Sequence, residues 1–311
     1  MLSRTAANLY WLARYIERAE CTARLMDMGQ RITMVPGANH TQEWGSILQA
    51  TGQNNVEDSG EAINQQTVVQ HLILDRDCPC SVHACIVRAR SNGKAVRTAL
   101  TQDTWEALNE GWRYLETLDA ASASQNITEI IDWVRCRAAM FRGSIDTSML
   151  RQDAYEFVKL GGMIERADTT LRLLSVKYFV LLPERDVIGG GRDHYQWTAI
   201  LRAVSGLRAY HHAYKTDYSP WRIADFLITN MDFPRSVLFC YECILHALEG
   251  LEDRYAQTHS VHSLIRSEVE RLRRRDIDDI FSDGLHEFLV RQIAITNRIS
   301  CEVSSAYLFD L

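Results

Sequence analysis

Two ten-residue segments hold most of the side chains able to do chemistry. Residues 16–25 read IERAECTARL and residues 164–173 read IERADTTLRL, identical at seven of ten positions and 148 residues apart. On a helix advancing about 100° per residue, Glu17, Glu20 and Arg24 share one shoulder of the apolar stripe, and so do Glu165, Asp168 and Arg172. Arg14, Arg18 and Arg166 lie further round. Two carboxylates three residues apart on one face can bind a divalent cation, hold a cationic group or share a proton. An arginine four residues on can grip a carboxylate or phosphate with two parallel hydrogen bonds. The plainer reading is a pair of i,i+4 ion pairs, Glu20–Arg24 and Asp168–Arg172, at ~0.3–0.5 kcal/mol each. A second plain reading is a structural network where the two segments cross. If the network is structural, Arg24→Ala and Arg172→Ala lower the unfolding midpoint.

Other groupings carry less. Cys78, Cys80, His83 and Cys85 form C-P-C-x₂-H-x-C, which has the donor types of a zinc site. The matching stretch 227–240, LITNMDFPRSVLFC against LILDRDCPCSVHAC at 72–85, has Phe233, Arg235 and Leu238 at three of those positions, so no metal is expected there. Gly189-Gly190-Gly191 precedes an expected helix start at Asp193 but lacks the strand and Lys-Ser/Thr of a phosphate loop, and reads as a connector. Arg271-Leu-Arg-Arg-Arg275 is flanked by acids and reads as a solvated helix face. Cys240 and Cys243 form an isolated C-x-x-C, and His211-His212 has no ligand-spaced carboxylate nearby. Arg90, Asn92 and Arg97 put two bases and an amide on one helical stretch ahead of Trp105, where they either meet the acidic stripe or face solvent. No G-x-S-x-G, H-E-x-x-H or E-x-x-H pattern occurs.

The elements that must position these residues are helical. Leu9, Leu12, Ile16, Ala19, Ala23 and Met26 recur at three- and four-residue steps, as do Phe157, Leu160, Ile164, Ala167, Leu171 and Leu174. Ser3 is the expected N-cap of the first helix, Met34–Ala38 its end, and the second stops before Pro183. WGSILQA at 44–50 and WTAILRA at 197–203 form a further matched pair, each Trp opening a short helix, and the two D-x-P-x-S-V segments put Pro early in a helix. Helical patterns then cover 81–118, 129–142, 236–256, 261–274 and 283–307, and Ala120–Asn126 is the clearest linker. Three matched pairs in one order, at spacings of 148, 153 and 155 residues, predict a tandem duplication. The fold expected is all-α, an internally duplicated helical bundle with pseudo-twofold symmetry. Residues 1–145 form one repeat and 146–311 the other, interlocked in one domain.

Composition agrees and narrows the function. At 311 residues, with 46% hydrophobic and 24% charged residues, the chain can bury a core of its own; sixteen Gly and five Pro are few for an all-β chain. A net charge of −6 disfavours nucleic acid as a partner. The acids and bases within the first 20 residues argue against an export or transit signal, and Val237–Leu251 is too short and too charged to span a membrane. A cytoplasmic protein with reduced thiols, no cofactor and scope for homo-oligomers is the expectation.

The opening M-L-S-R-T-A-x-N-L-Y-W-L-x-R-Y-x-E-R-A-E, A-R-x-N at 89–92, V-R at 96–97, W-E-A-L-N at 105–109, the second I-E-R-A-D and F-P-R-S-V at 233–237 together resemble the bacterial alpha-E family. The likeness spans almost the whole chain. Where the family carries A-R-E-N-A-R, this sequence has Ser91, Gly93 and Lys94. The resemblance implies an all-helical protein partnered by a circularly permuted ATP-grasp protein, often with a transglutaminase-like protein. On that basis the expected function is an accessory or interaction protein of an amide-ligase system for peptide synthesis or modification. It would bind the ligase, or its peptide or acceptor substrate, through a Glu/Arg-rich surface made of Arg14, Glu17, Arg18, Glu20, Arg24, Arg90, Asn92, Arg97, Glu165, Arg166, Asp168, Arg172, Arg235 and Ser236. The alternative is an all-α enzyme that binds Mg²⁺ or Mn²⁺ through Glu17, Glu20, Glu165 and Asp168.

Overall fold

A computed structural model describes residues 1–34, 39–52, 62–180, 191–215 and 218–309, and among these every regular element is a helix. The first half comprises α1 (Ser3–Thr33), α2 (His40–Ala50), α3 (Gln65–Val69) running into a π-helical turn, α4 (Val82–Ala95), α5 (Gln102–Leu115), α6 (Ala120–Gln125) and α7 (Ile127–Ser148). The second comprises α8 (Asp153–Val180), α9 (Gly191–Ala203), α10 (Leu207–Tyr214), α11 (Pro220–Ile228), α12 (Val237–Tyr255), α13 (Ser260–Arg274), α14 (Ile277–Ser282) and α15 (Leu285–Ala306).

The apolar steps read from the sequence are the core. Leu9, Leu12, Ala23 and Met26 of α1, and Leu160, Ile164, Ala167, Leu171 and Leu174 of α8, are completely shielded from solvent. These two helices cross at the centre of the molecule. Around α1 pack α4, α7, α9 and α2; around α8 pack α12, α15, α2 and α9. Helices enclosed on nearly every side bury their polar shoulders along with their apolar stripes, and those polar groups then have to satisfy one another. Gly161 makes the crossing close: a Cβ there would lie 2.1 Å from the carbonyl oxygen of Tyr10, so only glycine admits the α1 backbone at that point.

Several boundaries differ from the expectation. Leu2, not Ser3, is the N-cap residue of α1, and its carbonyl already accepts from Thr5 and Ala6, so the Ser3 side chain caps nothing. Trp44 and Trp197 sit in the middle of α2 and α9, buried, rather than at their starts. Pro79 and Pro234 lie in the turns before α4 and α12; Ser81 and Ser236 are the caps, accepting from the backbone of Ala84 at 3.0 Å and Phe239 at 3.1 Å. The pattern at 81–118 is interrupted after Ala95 by a 3₁₀ turn (Arg97–Ala99) and a new cap at Thr101. Gly93 lets α5 approach there, since a Cβ would meet Leu108 at 2.9 Å. Residues 120–125, expected as a linker, are helical, in keeping with their alanine content. Val35–Ala38, Pro183, Gly189 and Gly190 lie outside the described residues; Gly191 opens α9, two residues before the expected start.

A buried double Glu-Arg clasp as candidate functional site

Where α1 and α8 cross, each Glu-Arg dipeptide grips the other. Arg18 donates from Nε to Glu165 Oε1 at 2.5 Å and from Nη2 to Oε2 at 2.9 Å. Arg166 donates from Nε to Glu17 Oε1 at 2.7 Å and from Nη2 to Oε2 at 3.1 Å. Both are two-pronged guanidinium–carboxylate pairs, the strongest geometry available to these groups. The i,i+4 pairs expected along each helix form as well: Arg24 to Glu20 at 2.6 Å and Arg172 to Asp168 at 2.6 Å. Arg14 adds a second cation on Glu165 at 2.8 Å and also donates to Tyr10 Oη at 3.2 Å. Arg235 reaches from the turn before α12 to Glu17 at 3.3 Å and Glu20 at 2.8 Å. Arg142 of α7 bonds Glu17 at 3.0 Å and also Glu20.

The surroundings recur at matched positions. Thr22 donates to Cys80 O and Thr170 to Arg235 O, both at 2.7 Å. Arg24 reaches the carbonyl of Ala203, and Arg172 that of Ala50 at 3.4 Å. Ser81 and Ser236 donate to the carbonyls of Asp75 and Asn230, six residues back in each case.

Glu20 is 1% and Glu17 3% exposed, and Arg14, Arg24, Glu165, Arg166 and Asp168 are buried with them. The Glu/Arg-rich surface expected of these residues is therefore an interior. The reason is the enclosure of α1 and α8, which periodicity alone does not reveal. Burial by itself would raise the Glu165 pKa, but Arg14 and Arg18 outweigh it and hold the carboxyl at about 2. Glu17 is likewise driven down against its burial by Arg166, Arg142 and Arg235. Glu20 falls too, against burial and the like charge of Glu17, because Arg235, Arg24 and Arg142 act on it together. Burial and the neighbouring Arg235 bring Arg24 down to about 10. Carboxylates held this firmly ionised are poor proton acceptors near neutral pH.

Other expected residues lie elsewhere. Ser236 caps α12. Arg90 bonds Asn109 at 2.9 Å and stacks 4.0 Å from the Trp112 ring; Arg97 lies 5.4 Å from Trp105. Asn92 is half-buried on the same helix, α4. Arg90 and Arg97 face the aromatics of α5 rather than the carboxylates of the stripe. The Cys78 and Cys80 sulfurs lie 3.1 Å apart, while His83 turns to Glu116 at 3.2 Å and Cys85 to the Pro79 carbonyl at 3.5 Å. Among the described residues no group of three His, Cys, Asp or Glu side chains is gathered as metal ligands would be. Sequence reasoning missed Arg142. Its place four residues ahead of Asp146 on an amphipathic helix gave no sign that it would turn inward.

Beside the clasp, a cavity of about 310 Å³ opens between Arg18, Cys80, Asp168 and Arg172, backed by Gly52 and Leu25. Asp168 lines it, and its Oδ1 is buried with no hydrogen-bond partner.

Neither a curated protein nor a solved structure matches the chain. Residues 1–308 match Alpha-E, described as a predicted alpha-helical domain with a conserved ER motif. The Glu17-Arg18 and Glu165-Arg166 dipeptides that clasp across the centre fit that description, and the chain belongs to the Alpha-E family.

Proposed function

We propose that this protein is a non-catalytic helical partner of an ATP-grasp amide-ligase system, binding the ligase or its peptide or acceptor substrate in peptide synthesis or modification. The observation that carries a binding role is the state of the stripe. Glu17 and Glu20 are each held by three guanidinium groups and Glu165 by two, all below the ordinary carboxylate range, so these groups are committed to holding α1 against α8, α7 and the turn before α12. Membership of the Alpha-E family and the resemblance of the motifs support the choice of partner, with a transglutaminase-like protein as a further member of the system. The recurrence of contacts at matched positions supports reading the chain as a tandem duplication in which each half completes the other.

A partner then docks on residues outside the clasp. Exposed Arg97, with Arg90 and the tryptophans of α5, is the first place to look. Co-purification with the neighbouring ATP-grasp protein is the test, together with ligase turnover with and without this chain. A complex weakened by Arg97→Glu at an unchanged unfolding midpoint supports the reading. No complex and no effect on turnover overturns it.

A further inference from the structure

The two carboxylate pairs at the centre are not served alike. Glu17 and Glu20 share four guanidinium groups, from Arg24, Arg142, Arg166 and Arg235, whereas Glu165 and Asp168 share three, from Arg14, Arg18 and Arg172. One difference between them sits at a matched position. The backbone carbonyl that accepts from Thr170 belongs to Arg235, whose side chain then crosses to Glu20. The carbonyl that accepts from Thr22 belongs to Cys80, whose side chain is too short to cross to Asp168. In its place lies the 310 Å³ cavity, lined by Asp168, whose Oδ1 is buried without a hydrogen-bond partner. Where Ser205 approaches Arg24 at 3.0 Å, Gly52 stands opposite Arg172 with no side chain to intrude.

A buried carboxylate oxygen without a donor carries a desolvation cost that a bound cation removes. The volume falls at the low end of small-molecule sites, roughly 300–1,000 Å³. We infer that this cavity is a binding site for a guanidinium or primary ammonium head group, which takes at Asp168 the place that the Arg235 guanidinium takes at Glu20. The head group donates to Asp168, and its alkyl stem lies along Leu25 and Pro79. A fourth cation here brings the Glu165/Asp168 pair to the complement that Glu17 and Glu20 already hold, so the core of this fold accommodates it. The inference stands apart from the proposed ligase partnership, since it concerns an interior site and its test needs no partner.

The experiment is titration of the full chain with agmatine, methylguanidinium, butylamine and an arginine blocked at both termini, read by calorimetry and by the unfolding midpoint. Binding of at least one probe with a rise in midpoint is expected. Cys80→Arg, which supplies the missing guanidinium from within, should weaken binding at least tenfold while raising the midpoint of the ligand-free protein. Asp168→Asn should weaken binding to a similar degree. Arg235→Ala opens the equivalent space at Glu20, and its lowered midpoint should be partly restored by methylguanidinium. Capture of the blocked arginine in preference to agmatine identifies the source as a peptide side chain; the reverse identifies a free amine or guanidine. The inference is overturned if no probe binds, or if binding is the same in the Cys80→Arg protein.

Discussion

At the scale of single residues, the clasp behaves as a set of mutual obligations. Removing one partner of a buried ion pair leaves the other charged and desolvated, at a cost of ~3–5 kcal/mol. Glu165→Ala strands both Arg14 and Arg18, so denaturant unfolding should show a loss of that order. Arg24→Ala should cost more than Arg172→Ala, because the Arg24 side chain is 6% exposed and that of Arg172 is 28% exposed. Equal losses would mean that burial does not set the strength of these pairs. The thiols divide similarly: Cys136 and Cys301 are exposed, while Cys21, Cys85 and Cys240 are buried and pushed up to about 12 by that burial. Under native conditions an alkylating reagent should modify Cys136 and Cys301 well ahead of these three, which mass spectrometry resolves.

At the scale of the helix, two adjacent glycines make opposite predictions. Gly161→Ala drives a Cβ against the Tyr10 carbonyl and should destabilise by ~1–3 kcal/mol or more, since backbone cannot move aside as a flexible side chain can. A Cβ at Gly162 meets nothing within 4 Å, so Gly162→Ala should leave stability unchanged or raise it by up to ~1 kcal/mol through helix propensity. The sequence made α1 and α8 legible because their apolar steps are regular over many turns, and the pairs Glu20–Arg24 and Asp168–Arg172 are local to one helix. What it could not show was which way the charged shoulder faces. Arg18 and Glu165 are separated by 147 residues, and their meeting depends on a crossing that no local pattern encodes. The helix ends were missed for a related reason. Leu2, Pro79 and Thr101 are placed by the turn each neighbouring helix requires, and residue preference at a cap is weaker than that geometry.

At the scale of the whole molecule, the clasp links stability to pH. Glu17, Glu20 and Glu165 titrate below their ordinary value of 4.5 in the folded state, so the unfolded chain binds more protons as the pH falls. Their contribution is complete above about 4.5 and is withdrawn as the pH drops toward about 2, the value at which Glu165 is held. Unfolding midpoints measured from pH 6 downward should be level at first and then fall steeply through that window. A Glu165→Gln protein, already lacking one such carboxylate, should show a shallower fall.

The reciprocity of the clasp has a consequence for how the chain can be divided. α7 ends at Ser148 and α8 begins at Asp153, so a break in the peptide between them leaves every helix intact. Each fragment would then hold buried charges without their partners: residues 1–150 would carry Arg14 and Arg18 without Glu165, and residues 151–311 would carry Arg166 without Glu17 and Glu165 without Arg14 or Arg18. Two pieces that each lack the counter-charges the other holds should be insoluble or unfolded apart. Co-expressed, they should find each other and restore the native helix content, as the halves of a split protein do.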